Sequence, residues 1–215
     1  MEIGELELDA LCELANVGLS RAATRLSELL QDNIEMTTPS VRVVGYEALQ
    51  QALQLDEKST VAAVWQQLTG NVEGTSMLMF PTEDSRMLVQ SLVGSSMQNT
   101  GEADLRAIEH EAMMEIGNII ISSATAVMAD MLGQDIRMSM PHYAESTLSD
   151  LMAQRDGEQN MQEMQEMQVI IMNTRLKAMQ REIEGRMVML MSVTSVQVLF
   201  ARLRELLGIS IADSP

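Results

Sequence analysis

The chain repeats itself. Slid along by 102 residues, 9–39 (DALCELANVGLSRAATRLSELLQDNIEMTTP) lies without a gap over 111–141 (EAMMEIGNIIISSATAVMADMLGQDIRMSMP). Ala10, Glu13, Asn16, Ser20, Ala22, Leu30, Ile34, Met36 and Pro39 all recur. The match resumes at an offset of 111, where VEGTSMLMF at 72–80 meets IEGRMVMLM at 183–191, so the second half carries nine extra residues. A duplication at fixed spacing constrains the fold strongly, because both copies must bury equivalent faces. At 215 residues the chain suits one domain, built from repeats at about 5–95 and 105–208 and related by a pseudo-two-fold axis.

Within each half the hydrophobic period changes in the same order. Residues 9–30 and 111–132 have helical periodicity, with Leu11, Leu14, Gly18, Ala22 and Leu29 on one face and Met113, Ile116, Ile120, Ala124, Val127 and Met131 on its counterpart. Arg25 alone breaks that pattern. Extended segments follow at 34–46, 61–68 and 72–80, and again at 136–143, 167–179 and 182–192. Amphipathic helices at 82–93 and 193–207 close the halves, each followed by a glycine suited to a C-terminal cap. A helix followed by adjacent strands predicts an α+β sandwich with antiparallel pairing. The extra residues fall in 145–167, a polar, Gln/Met-rich stretch read as an exposed loop or frayed helix.

Composition narrows the function. Fourteen Lys and Arg stand against 31 Asp and Glu, a net charge of −17 that repels a phosphate backbone, so nucleic acid is not an expected partner. The acidic surface serves solubility or steers a basic partner. The single Cys12 excludes a disulfide framework and reads as a small core residue. No Cys/His cluster suits a metal, and no glycine-rich phosphate loop is present. The uncharged stretches 116–129 and 187–201 fall short of the roughly 20 residues a spanning helix needs, so membrane insertion is not expected. The acidic start of the chain has no basic segment ahead of an apolar one, and a cytoplasmic location is expected. With 21 Met and 2% aromatic residues, the core must be filled largely by flexible side chains.

Residues at i, i+4, i+7 and i+11 share one face of a helix. Asp9, Glu13, Asn16 and Ser20 therefore form a stripe opposite the apolar face, and Glu111, Glu115, Asn118 and Ser122 form its copy. Both stripes are expected to face solvent. Carboxylates and hydroxyls merely solvate such a face, but Asn costs on the order of 0.5 kcal/mol relative to Ala within a helix. Asn three residues after Glu in both copies therefore points to a task for the carboxamide.

These residues resemble the CheC family of chemotaxis phosphatases. Its signature is Asp or Ser, three residues, Glu, two residues, Asn, then Pro after a further 22. Asp9, Glu13, Asn16 and Pro39 fit it fully; Glu115, Asn118 and Pro141 fit it with Glu111 in the first position. The resemblance implies a pseudo-two-fold fold with two long motif helices side by side on an antiparallel sheet. It also implies an enzyme that hydrolyses the aspartyl phosphate of a CheY-like response regulator. There, Asn16 and Asn118 would orient the attacking water and Glu13 and Glu115 would pair with the regulator's active-site Lys. Asp9, Ser20, Glu111 and Ser122 would contact the partner, and Mg²⁺ would come from the regulator, none being bound by this chain. Pro39 and Pro141 are read as structural. A CheD protein is a further partner that the resemblance suggests. The alternative is a non-catalytic docking module for a phosphorylated regulator, as in flagellar switch proteins. His110 and His142, beside the second motif, are read as surface or packing residues.

Overall fold

A computed structural model describes residues 3–93, 102–156, 167–178 and 181–208. The elements run α1 (Glu5–Leu30), β1 (Glu35–Gly45), a 3-10 turn (Tyr46–Ala48), α2 (Leu49–Leu53), β2 (Thr60–Gly70), β3 (Gly74–Pro81) and α3 (Thr82–Val93). The second half follows with α4 (Glu102–Leu132), β4 (Ile136–Met138), β5 (His142–Thr147), α5 (Leu148–Asp156), β6 (Met167–Ala178), β7 (Arg181–Ser192) and α6 (Val193–Leu207). The predicted elements are present in order, except that the extended segment at 136–143 is two strands. The predicted cap at Gly208 is observed, with a left-handed φ of 67°; its counterpart Gly94 lies outside the described residues.

All seven strands join one antiparallel sheet in the order β1-β6-β7-β3-β2, with β4 and β5 both along the outer side of β2. The halves are therefore interlaced. Each contributes a central hairpin, β2–β3 or β6–β7, but the extended segment before it crosses to pair with the other half's hairpin, β1 on β6 and β4 and β5 on β2. The seam between halves is β3 against β7.

Both faces of the sheet are covered. On one, Val64, Leu78, Ile170 and Met189 meet Leu11, Leu19, Ile116 and Ile120 of the long helices and Leu199 and Phe200 of α6. On the other, Ala63, Trp65, Met77, Ile171 and Val188 lie under the short helices α2 and α5, through Leu49, Leu53, Leu151 and Met152. Burial on both sides explains why β3 reads as an almost unbroken apolar run rather than an alternating one. It also corrects the expectation for 145–167: Glu145 to Thr147 belong to β5, and the stretch up to Asp156 is a helix whose Leu148, Leu151 and Met152 are buried. Residues 157–166 lie outside the described residues. Met36, Met77, Met79, Met113, Met128, Met172, Met187, Met189 and Met191 are all buried, which is the core-filling role anticipated from composition.

The apolar faces of the long helices differ from the sequence reading at their C-terminal ends. Leu26 is buried whereas Leu29 is exposed, and Met128 and Leu132 are buried whereas Met131 is exposed. Counting from Ala22 by one turn to Leu26 removes the apparent conflict at Arg25, which is on the solvent side. Within the 106–132 part of α4 an 18-residue window reaches a mean hydropathy of 1.4, that of a membrane-crossing helix, although no uncharged run reaches that length. Its apolarity has a different use here: 61% of that window is buried, against α1 and the sheet.

Candidate functional site

Two glycines set the position of the motif helices. A Cβ on Gly18 would lie 2.6 Å from the Cα of Ala124, so α1 and α4 approach backbone to backbone at this point. A Cβ on Gly117 would lie 2.5 Å from the Cβ of Val64, so α4 sits directly on β2. This seating brings Asn118, the residue after Gly117, to Gln66, two residues along β2 from Val64.

The stripes are at the surface but not uniformly exposed. Asp9, Glu13, Ser20, Glu111 and Glu115 are exposed, while Asn16, Asn118 and Ser122 are half-buried. The departure is physical: both Asn side chains turn toward the sheet edge and are held there. Asn16 Oδ1 accepts from the backbone N–H of Thr38 at 2.6 Å, and its Nδ2 donates to the Thr38 carbonyl at a longer 3.4 Å. Thr38 can offer both groups because the β1–β6 ladder is interrupted there. Thr37 pairs with Arg175 and Ser40 with Asn173, so Thr38 and Pro39 together oppose the single residue Thr174 in a β-bulge. Pro39, which has no N–H, loses nothing by leaving the ladder. The spacing from Asn16 to Pro39 is thus the distance from a helix residue to the bulge that anchors it.

The second copy solves the same problem differently. The strand breaks completely between β4 and β5, at Ser139, Met140 and Pro141. The break is bridged to β2 by Ser139 N–H donating to the Gln67 carbonyl at 2.9 Å and Gln67 N–H donating to Ser139 Oγ at 3.0 Å. Asn118 Oδ1 accepts not from the main chain but from Gln66 Nε2, at 3.2 Å, and the same nitrogen donates to the Ser139 carbonyl at 2.8 Å. Ser122 Oγ bonds the Ile119 carbonyl of its own helix at 3.4 Å.

Sequence reasoning missed several neighbours of these sites. Cys12, one turn before Asn16, is half-buried rather than core; its thiol donates to the Thr38 carbonyl at 2.9 Å. Burial, followed by the carboxylates of Glu13 and Asp9, pushes that thiol's pKa up, which keeps it protonated. The signal was its position one helical turn before Asn16. Gln66 was also overlooked, although it is a polar residue between Val64 and Leu68 on the inward face of β2. His110 and His142, read as surface or packing residues, are exposed and make ring contacts around a particular cavity: His142 stacks on Trp65 at 5.6 Å and His110 meets Tyr143 edge-on at 5.3 Å. These four rings, Met114 and Pro141 border a cavity of about 390 Å³ beside the second motif. Tyr143 donates to Glu145 at 2.8 Å, and burial together with that bond raises its hydroxyl pKa. In the first half a cleft of about 700 Å³ runs between α1 and β1 from Ser20 to Met36. Among the described residues, no three of His, Cys, Asp and Glu converge as a metal-holding group.

The arrangement presents, twice, an exposed carboxylate one turn from a carboxamide whose oxygen is tethered to the sheet edge. Such a pair can position a water and a cation without itself changing charge. Comparison with known proteins finds similarity in both segments. The model of the CheC-like family matches residues 6–43 and 108–142, the two motif helices with the strands that follow them. The CheY-P phosphatase CheC of Bacillus subtilis (strain 168) is 22% identical over 206 residues, covering 94% of this chain and 95% of that protein. The flagellar motor switch phosphatase FliY of the same organism is 26% identical over 140 residues, which is 65% of this chain and 36% of that protein. The crystal structure of Thermotoga maritima FliY superposes with a TM-score of 0.72 at 20% identity, covering 95% of this chain and 99% of that one. In both motif segments the chain is similar to the CheC-like family, and along nearly its whole length it shares the fold of Thermotoga maritima FliY.

Proposed function

We propose that this chain hydrolyses the aspartyl phosphate of a CheY-like response regulator, at two sites formed by Glu13 with Asn16 and by Glu115 with Asn118. The observation that carries the reading is the tethering of both carboxamides by their oxygen, each beside an exposed Glu three residues earlier. A residue that only solvated a helix would not be anchored to the sheet in both copies. The relatives named as CheY-P phosphatase and flagellar motor switch phosphatase support the same chemistry.

An acyl phosphate already has a good leaving group, so its hydrolysis requires alignment and charge compensation more than a covalent intermediate. On docking, the carboxamides of Asn16 and Asn118 enter the regulator's active site and orient a water in line with phosphorus. Glu13 and Glu115 pair with the regulator's Lys. Asp9 and Ser20, and Glu111 and Ser122, extend the contact along each helix. Mg²⁺ held by the regulator supplies charge neutralisation at the phosphoryl oxygens. Pro39 acts on the strand that carries the first tether and Pro141 on the strand break beside the second, not on the phosphate.

The test is the decay of a phosphorylated CheY-like regulator with Mg²⁺, comparing the unmutated chain with Asn16→Ala, Asn118→Ala and the double variant. Two working sites require accelerated decay that is lost fully only in the double variant. Binding of the phosphorylated regulator with an unchanged lifetime would instead establish the docking module.

A further inference from the structure

We infer that Gln66 is a positioning residue for Asn118, so that the second site is completed by a side chain from the first half of the chain. The inference rests on the phosphatase reading above. Gln66 is 2% exposed, on a strand whose other inward residues, Val64 and Leu68, are apolar. A buried carboxamide is costly unless it is bonded, and Leu or Met would fill the space without that cost. Gln66 is only partly compensated: Nε2 bridges Asn118 Oδ1 and the Ser139 carbonyl, while Oε1 is buried with no partner among the described residues. The group thus holds two otherwise separate parts, the motif helix and the strand break before Pro141.

The two halves use different donors for one purpose. In the first, the N–H that holds Asn16 is the main chain of Thr38, and Thr174 opposite the bulge turns its hydroxyl to the Met172 carbonyl of its own strand. In the second, the N–H is a side chain. Substitution can therefore remove the tether from the second site alone. With Oδ1 released, the Asn118 side chain regains rotamer freedom, and misplacement of a positioning group by about 1 Å can lower a rate by up to about 100-fold.

The full chain is assayed in two backgrounds, Asn16→Ala, where only the second site works, and Asn118→Ala, where only the first does. Gln66→Leu is expected to slow regulator dephosphorylation about tenfold or more in the first background and by less than about twofold in the second. Gln66→Glu adds a readout that a purely structural role would not move. An ionised carboxylate in place of the carboxamide cannot donate to Asn118, but its protonated form can. In the Asn16→Ala background the rate of Gln66→Glu, relative to the same background with Gln66 intact, should therefore rise as pH falls through a carboxyl pKa raised by burial. In ¹⁵N-labelled protein, the Gln66 side-chain NH₂ resonance should move on Asn118→Ala. Equal losses in both backgrounds, no loss in either, or an unmoved resonance would overturn the inference while leaving the phosphatase reading intact. If the unmutated chain does not shorten the phosphoryl lifetime, the phosphatase reading fails first, and the positioning role of Gln66 is overturned with it.

Discussion

Asn16 and Thr38, 22 residues apart in sequence, are joined by a 2.6 Å hydrogen bond from a bulged strand's N–H to a helix side-chain oxygen. This bond connects the motif to its proline. It also separates what Asn16 does for the fold from what it does for the regulator.

Asn16→Ala leaves the Thr38 N–H without its acceptor, and the expected loss is about 1–2 kcal/mol of stability, the usual cost of an orphaned polar group. Asn16→Asp keeps an acceptor for that N–H and should unfold closer to the unmutated chain. Both should lose first-site turnover. Urea unfolding and phosphoryl decay on the same three proteins, in the Asn118→Ala background, check the two halves of this expectation.

Glu7 joins the start of α1 to the end of α6. One carboxylate oxygen accepts from Gly4 N–H and the other from Arg204 Nε, each at 2.5 Å, and Glu7 is 6% exposed. Glu7 is buried and Arg204 half-buried, so Glu7→Ala, which removes both charge-assisted bonds, should cost about 1.5–3 kcal/mol. Arg204→Ala should act in the same direction, and the double variant should lose less than the sum of the singles when measured by urea unfolding.

Gly18 and Gly117 both lie inside helices, where Ala is favoured by about 1 kcal/mol. At Gly18 the added methyl meets the backbone of Ala124, which cannot swing aside, and overpacking costs roughly 1–3 kcal/mol. Gly18→Ala should therefore be destabilising on balance. Gly117→Ala should lift α4 from β2, and should slow the second site more than the first in the single-site backgrounds.

Asp84, at the start of α3, has its carboxyl pKa raised by burial first and then by the carboxylates of Glu184 and Glu83. A carboxyl whose folded pKa lies above its unfolded value binds more protons when folded. Its contribution therefore favours folding increasingly as pH falls through the folded pKa toward the unfolded one, and opposes folding above that window. Glu184→Gln should lower the Asp84 titration midpoint, followed by carboxyl NMR, without restoring an ordinary value, because burial remains.

The repeat, the order of helix and strands in each copy, and the residues of both stripes could be read from the sequence. They are local or periodic properties: a 3.6-residue period marks Leu11, Leu14 and Gly18, and a fixed offset marks Asn16 and Asn118 as equivalent. The sequence also placed Pro39 at constant distance from Asn16, without showing why. Only the tertiary structure decided that β1 pairs with β6 and β5 with β2, since strand partners are chosen by packing across distant parts of the chain. It decided that the second face of the sheet is covered by α2 and α5, whose short patterns carry little periodic signal. It also turned the two Asn side chains from solvent toward the sheet edge, and gave equivalent residues different donors, a main-chain N–H at Thr38 and the side chain of Gln66. A hydrogen bond between elements depends on where each backbone is interrupted, and that is fixed only when the halves pack together.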